Sequence, residues 1–189
     1  MPCRFDDVTV DLGTFEGDAM PFMAEHYGGM FQKADASSRF LVEPMTESKL
    51  RFCQEMDTFV FRHEGRAVGL LIAHPSDWSS YYVRTAAILP DFRRRHLIVQ
   101  YMHEIIPPLQ RAGVARLETE VTPANIPMVA FHHDHGFMVT STSTSDRWGM
   151  LLRFTRFLSD DAERTFVRQF CAMAVKPPKS ETPNPRRTP

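Results

Sequence analysis

The sequence is poor in cysteine. Its 189 residues include three, Cys3, Cys53 and Cys171, odd in number and widely spaced with no CxxC pair. That pattern argues for reduced thiols and against a disulfide framework. Long apolar runs are absent too. The longest, such as Val68 to Ala73, fall far short of the ~20 residues a transmembrane helix needs. The first residues, MPCRFDD, lack the basic-then-apolar form of a secretory leader. Nor is there an excess of charge of one sign. Lys+Arg is 22 and Asp+Glu is 23, a formal net charge of -1, which argues against broad electrostatic binding to nucleic acid or to an anionic membrane. No internal repeat is apparent. The expectation is a cytoplasmic protein with neither a nucleic-acid nor a membrane partner.

What is present suits one globular domain, with 43% apolar and 24% charged residues. The domain is expected over residues 1–175. Residues 176–189, KPPKSETPNPRRTP, read as a flexible, basic, proline-rich tail.

Apolar periodicity gives the elements. Val8 to Leu12 alternates as a strand. Phe15, Ala19, Phe22, Met23, His26, Met30 and Phe31 recur at near-helical spacing, interrupted by Pro21 and Gly28-Gly29. A second helix is expected after Pro44, capped by Thr46, with Leu50, Cys53 and Met56 on one stripe. Thr58–Arg62 and Arg66–His74 form a hairpin around Glu64-Gly65. Trp78 to Leu89 reads as a strand ended by Pro90-Asp91. His96 to Arg111 reads as a helix with a kink or an early break at Pro107-Pro108, and Gly113 suits its end. Arg116 to Val121 places Leu117, Thr119 and Val121 on one face of a strand and Glu118 and Glu120 on the other. A short helix over 125–135 stops at Gly136. Ser141 to Ser145 is a polar stretch, Trp148 to Phe157 a final strand, and Asp160 to Val175 a closing helix capped by Ser159 or Asp160. From residue 58 the order is β-β-β-α-β-α-β, a mixed sheet with helices on its faces.

Two places carry chemistry. Ile88-Leu89-Pro90-Asp91-Phe92-Arg93-Arg94-Arg95-His96-Leu97-Ile98 leads from a strand through a short loop into a helix. Free N–H groups at a helix start point one way and seat phosphate oxygens, and three arginines add cationic donors there. The second is the strand Leu117–Val121 followed by Asn125-Ile-Pro-Met-Val-Ala-Phe131-His132-His133-Asp134-His135-Gly136-Phe137. Within it, only His132 and His135 share a helix face, and no HExxH occurs, so no metal site is expected.

This order and spacing resemble the GCN5-related N-acetyltransferase (GNAT) superfamily, most closely over residues 58–157. The family's phosphate loop is Arg/Gln-x-x-Gly-x-Gly/Ala after a proline-ended strand. Arg93-Arg94-Arg95-His96-Leu97-Ile98 stands in that register behind Pro90, with His96 and Ile98 in place of the small residues. The second motif, Asn-x-x-Ala-x-x-apolar-Tyr-x-x-x-Gly-Phe, is met by Asn125, Phe131, Gly136 and Phe137. Met128 holds the Ala position and His132 the Tyr position. Gly65 and Gly69 match the family's Gly-x-apolar-apolar-Gly hairpin.

The resemblance implies a mostly antiparallel six- to seven-stranded α/β (α+β) sheet with helices on both faces and splayed central strands. It implies acyl transfer from acetyl-CoA or another acyl-CoA to a small-molecule or peptide amine by direct attack. The diphosphate would rest on Arg93, Arg94, Arg95, His96, Leu97 and Ile98. The pantetheine arm would lie between the strand ends near Asn125, Met128 and Phe131. Backbone amides near Ile88 and Leu89 would bond the thioester carbonyl. The family's base position falls on Glu120 and its acid position on His132, with His74 as a weaker base candidate. Two alternatives stay open: a catalytically impaired CoA-binding module, motivated by the missing glycines and Tyr, and an acyltransferase using longer or carrier-protein-bound thioesters. The chain is expected as a monomer or homodimer.

Overall fold

The structure is a computed structural model that describes residues 2–31, 56–146 and 148–171. The expected helix after Pro44 and the tail lie outside the described residues. Eight strands form one sheet: β1 (Cys3–Phe5), β2 (Val8–Gly13), β3 (Asp57–His63), β4 (Arg66–Pro75), β5 (Ser80–Ile88), β6 (Arg116–Val121), β7 (Met138–Ser145) and β8 (Gly149–Phe157). Among the described residues four α-helices accompany them: α1 (Met20–Phe31), α2 (Leu97–Arg111), α3 (Ile126–Asp134) and α4 (Asp160–Phe166). The strand order is β1-β2-β3-β4-β5-β6-β8-β7, and every neighbouring pair is antiparallel except β5 and β6. A parallel pair needs a crossover, and α2 supplies it.

The period-2 alternation of the strands divides the core between the two faces. On one face Val8, Val10, Phe59, Phe61, Leu71, Tyr81, Leu117 and Phe154 pack with Leu97, Tyr101 and Met102 of α2. On the other, Leu70 and Ile72 pack with Met56, Ala19 and Phe22 at the start of α1. The turn into α1 is a π-helical turn, Phe15–Ala19, capped by Thr14, whose hydroxyl accepts from the Gly17 N–H at 3.0 Å. Asp18 accepts in return from the Thr14 N–H at 2.9 Å and pairs with Arg62 at 2.5 Å, pinning the turn to β3.

The sheet departs from the sequence reading in several places. It has eight strands rather than six or seven. The three-residue β1 is too short to show a pattern. The polar stretch Ser141–Ser145 is the end of β7, an edge strand whose outward residues need no apolar character. The strand expected from Trp78 starts at Ser80, because Asp77 accepts from the Ser79 N–H at 2.7 Å and turns the chain, leaving Trp78 97% exposed. No break occurs at Pro107-Pro108, and α2 runs through to Arg111. The carbonyls those prolines leave without a donor belong to His103 and Glu104, both exposed, so water can serve them. Beyond Arg111, Gly113 (φ +89) ends the helix as expected. Val114 N–H bonds the Leu109 carbonyl and Gly113 N–H the Gln110 carbonyl, each at 3.0 Å. The closing helix begins at Asp160, with Ser159 at its cap position, and passes at Val167 into a π-helical turn to Cys171.

Candidate active site

The sheet opens at its one parallel pair. Ser80, Tyr81 and Tyr82 of β5 pair with Arg116, Leu117 and Glu118 of β6, and there the pairing stops. β5 continues to Ile88 and β6 to Val121 with no bond between them, so the strands part into a cleft. A bulge marks the parting. Ile72 pairs with Thr85 and Ala73 with Val83, leaving Arg84 unmatched. A bulge bends its strand and raises the local twist, which carries β5 away from β6.

The backbone along this edge is set by the ladder. Leu89 N–H donates to the Val68 carbonyl at 2.9 Å, so Leu89 and Ala87 face β4. Alternation then turns the N–H groups of Ile88 and Ala86 toward the cleft. Of the two amides assigned from sequence to the thioester carbonyl, Leu89's is therefore already committed. The Ile88 N–H is left outside the ladder with β4, and so is that of Ala86, a placement that depends on strand register. Gly69 permits this close approach, since a Cβ there would lie 2.7 Å from the Ala87 carbonyl oxygen.

The loop from Pro90 to His96 closes one end of the cleft. Pro90–Phe92 is a 3-10 turn, and α2 follows at Leu97 with no side chain capping its start. The N–H groups of Leu97, Ile98 and Val99 thus lack intrahelical acceptors. Two non-glycine residues of the loop have left-handed backbone, Arg94 (φ 63) and His96 (φ 55). His96 falls where the resembled family has glycine. Its side chain is exposed, while Ile98 packs against the main core, so burial draws Ile98 away from the cleft. The arginines do three different things. Arg93 Nε donates to the Ile88 carbonyl at 2.9 Å and ties the loop to the end of β5. Arg95 pairs with Asp7. Arg94 is exposed and makes no ion pair among the described residues.

A polar cluster stands where the strands part. Glu120 Oε1 accepts from Arg153 Nη2 and from the Ser143 hydroxyl, each at 3.1 Å. Its Oε2 accepts from the Tyr82 hydroxyl at 3.3 Å. Glu118 lies 3.7 Å from Arg153 Nη1. Burial, aided by Glu120, pushes the Tyr82 phenol up to about 12, so it stays protonated. His74 pairs with Tyr82 across β4 and β5, their rings 5.6 Å apart, and burial, then Arg84, lowers its pKa. Tyr82 was not singled out from sequence, although the alternation that puts Glu118 and Glu120 on one face was readable.

His132 stands elsewhere. It is 6% exposed and stacks on Phe154 at 5.0 Å, with Phe137 edge-on at 4.9 Å. Its Nδ1 lies 2.7 Å from the Met128 carbonyl, and burial lowers its pKa. A neutral imidazole whose N–H serves a helix carbonyl is a poor proton donor. His132, the residue expected as the acid, is packed as a core ring between these aromatic neighbours. Asn125 is exposed at the N-cap of α3, where its side chain makes no capping bond. Met128 packs on the core, and the Phe131 ring meets His135 at 4.5 Å. Among the described residues, no group of three or more His, Cys, Asp or Glu side chains is placed to hold a metal. No helix among them is long and apolar enough to cross a membrane.

The parted strands, the uncapped helix start and the loop between them border one cleft. The chain belongs to the acetyltransferase (GNAT) family, whose sequence profile matches residues 22–137. Solved structures agree in fold. A GNAT family acetyltransferase from Elizabethkingia anophelis with acetyl-CoA bound is 12% identical at a TM-score of 0.55, covering 81% of this chain and 99% of that one. Ard1 from Thermoplasma volcanium is 16% identical at 0.57, covering 82% and 99%. The ribosomal-protein-S18-alanine N-acetyltransferase from Escherichia coli is 20% identical at 0.54, covering 79% and 94%. At these identities the likeness is one of fold. No curated protein matches the sequence.

Proposed function

We propose that this chain transfers an acyl group, acetyl in the first instance, from acyl-CoA to an amine by direct attack. The observation that carries the reading is the parting of β5 from β6 beyond Tyr82 and Glu118, beside the uncapped start of α2. The N–H groups of Leu97, Ile98 and Val99, with Arg94, receive the diphosphate. Asn125, Met128 and Phe131 border the pantetheine arm. Ile88 and Ala86 N–H groups polarise the thioester carbonyl, where negative charge grows during attack.

The acceptor arrives as an ammonium and must lose a proton before it attacks. Glu120 draws that cation to the cleft. Arg153, Ser143 and Tyr82 already bond its oxygens, and through this network the ammonium's proton passes to solvent. When the C–S bond breaks, the thiolate needs a proton. Tyr82, a phenol bonded to Glu120 at the vertex of the cleft, takes the role first assigned to His132.

Thiol release from acetyl-CoA over a panel of amines tests the reading. Turnover that falls in Glu120→Gln and Tyr82→Phe supports it. A protein that neither binds nor hydrolyses any short acyl-CoA refutes it. Binding without turnover on any amine favours a CoA-binding module instead, a reading motivated by the buried His132. Faster turnover with long-chain acyl-CoA than with acetyl-CoA identifies a longer donor.

A further inference from the structure

The loop between β5 and α2 adopts its shape without glycine. Arg94 and His96 both have left-handed backbone, which costs L-residues with a Cβ and gives the loop no local reason to hold it. Contacts from outside the loop supply that reason. Asp7, in the turn between β1 and β2, accepts an ion pair from Arg95. It also lies 2.9 Å from His63 Nε2 at the end of β3. The Arg95 guanidinium sits over the Phe92 ring, 5.4 Å from its centroid, and the other neighbour of that ring is His63, at 5.1 Å. Gln100 Nε2 bonds the Arg95 carbonyl at 3.3 Å. Arg95 is thus held by Asp7 and the Phe92 ring at its guanidinium and by Gln100 at its carbonyl. Its charge is taken by Asp7, which the guanidinium holds below the usual carboxylate range.

We propose that Asp7 is a positioning residue for donor binding. By fixing Arg95 it holds the glycine-free loop in the form in which the N–H groups of Leu97, Ile98 and Val99 converge on a nucleotide diphosphate. The inference rests on the acyl-CoA reading above and goes further, because it makes a turn 88 residues away in sequence part of the diphosphate site. Arg95, on this account, is a strut and not a phosphate ligand.

The test compares two donors, acetyl-CoA and S-acetylpantetheine, which carries the same thioester without the diphosphate. Asp7→Asn is expected to raise KM for acetyl-CoA, and Kd for CoA, by about 3- to 5-fold, the reach of one exposed ion pair. The change appears in KM rather than kcat, and KM for S-acetylpantetheine stays at the wild-type value. Asp7→Glu restores acetyl-CoA binding in part. His96→Gly in the Asp7→Asn background also restores it, because a glycine relieves the strain the strut opposes. Equal effects on both donors, or wild-type KM for acetyl-CoA in a folded Asp7→Asn protein, overturn the inference while wild-type CoA binding leaves the acyl-CoA reading standing. A wild-type protein that binds no CoA overturns both.

Discussion

His96 offers a measurement of the strain in the phosphate loop. Its backbone lies at φ 55 and ψ 21, in the left-handed region. A residue with a Cβ is about 1–2 kcal/mol less stable there than a residue without one. Replacing it by glycine removes that cost and adds backbone entropy to the unfolded chain, about 0.5–1 kcal/mol on the scale of ordinary helix and strand positions. The difference favours the variant by about 0.5–1 kcal/mol. For a chain of this size, that is a rise in Tm of about 1–4 °C. Little else changes. The His96 side chain is exposed, and its carbonyl, which accepts from the Gln100 N–H at 2.9 Å, is kept. His96→Ala is the control, since it removes the imidazole but keeps the Cβ. Urea denaturation of the three proteins, followed by circular dichroism, gives the comparison. If His96→Gly is no more stable than both wild type and His96→Ala, the loop is not strained at this position, and the account of Asp7 as its strut loses its premise.

Gly69→Ala is expected to destabilise the fold by about 1–3 kcal/mol, read as a lower urea midpoint. The new Cβ would lie 2.3 Å from Ile88 Cδ1 and 2.7 Å from the Ala87 carbonyl oxygen, and the backbone oxygen has no easy retreat. The same push displaces Ile88 and raises KM for acetyl-CoA. Tyr82→Phe, measured by thiol release at saturating donor, is expected to lower kcat by about 100-fold or more, the span of general acid catalysis. A Tyr82→Phe enzyme with unchanged kcat removes the phenol from the mechanism. His132 makes stability depend on pH. Burial depresses its folded-state pKa, whereas the unfolded chain titrates near ~6.5. The unfolded state therefore takes up the proton first. Stability is full above ~6.5 and is lost as pH falls from there through the folded-state value, by about 1.4 kcal/mol per unit of depression. Urea midpoints at pH 7.5 and 5.5 are expected to differ less in His132→Leu than in wild type. Because burial also lowers His74, part of the slope remains in the variant.

The strands with strong alternation were legible because each buries one face. Glu118 and Glu120 fell on one face of β6 and the buried Leu117 and Val121 on the other, as read. Gly113 and Gly136 were legible as helix ends because their φ of +89 and +77 needs no Cβ. The strand ending in Ser141–Ser145 was not. Along the edge of a sheet both faces meet water, so sequence carries little pattern, and Thr140 settles by bonding the Thr155 hydroxyl of β8 at 2.8 Å. The proline pair did not end α2, because a missing donor costs most where the abandoned carbonyl is buried, and burial is decided by the neighbours.

For the site, the sequence by itself determined the local parts: a proline-ended strand, a cationic loop, a helix start and an acidic strand face. Each depends on residues within a turn or two of one another. Tertiary structure alone decided which parts meet and in what state. His132 became a buried core ring because Phe154 and Phe137 close over it. Tyr82 reached Glu120 because parallel pairing ends beside both. Leu89 gave up its amide to Val68, and Arg95 its charge to Asp7. Burial, hydrogen-bond partners and protonation depend on distances between segments far apart in the chain, and those distances exist only once the sheet has formed.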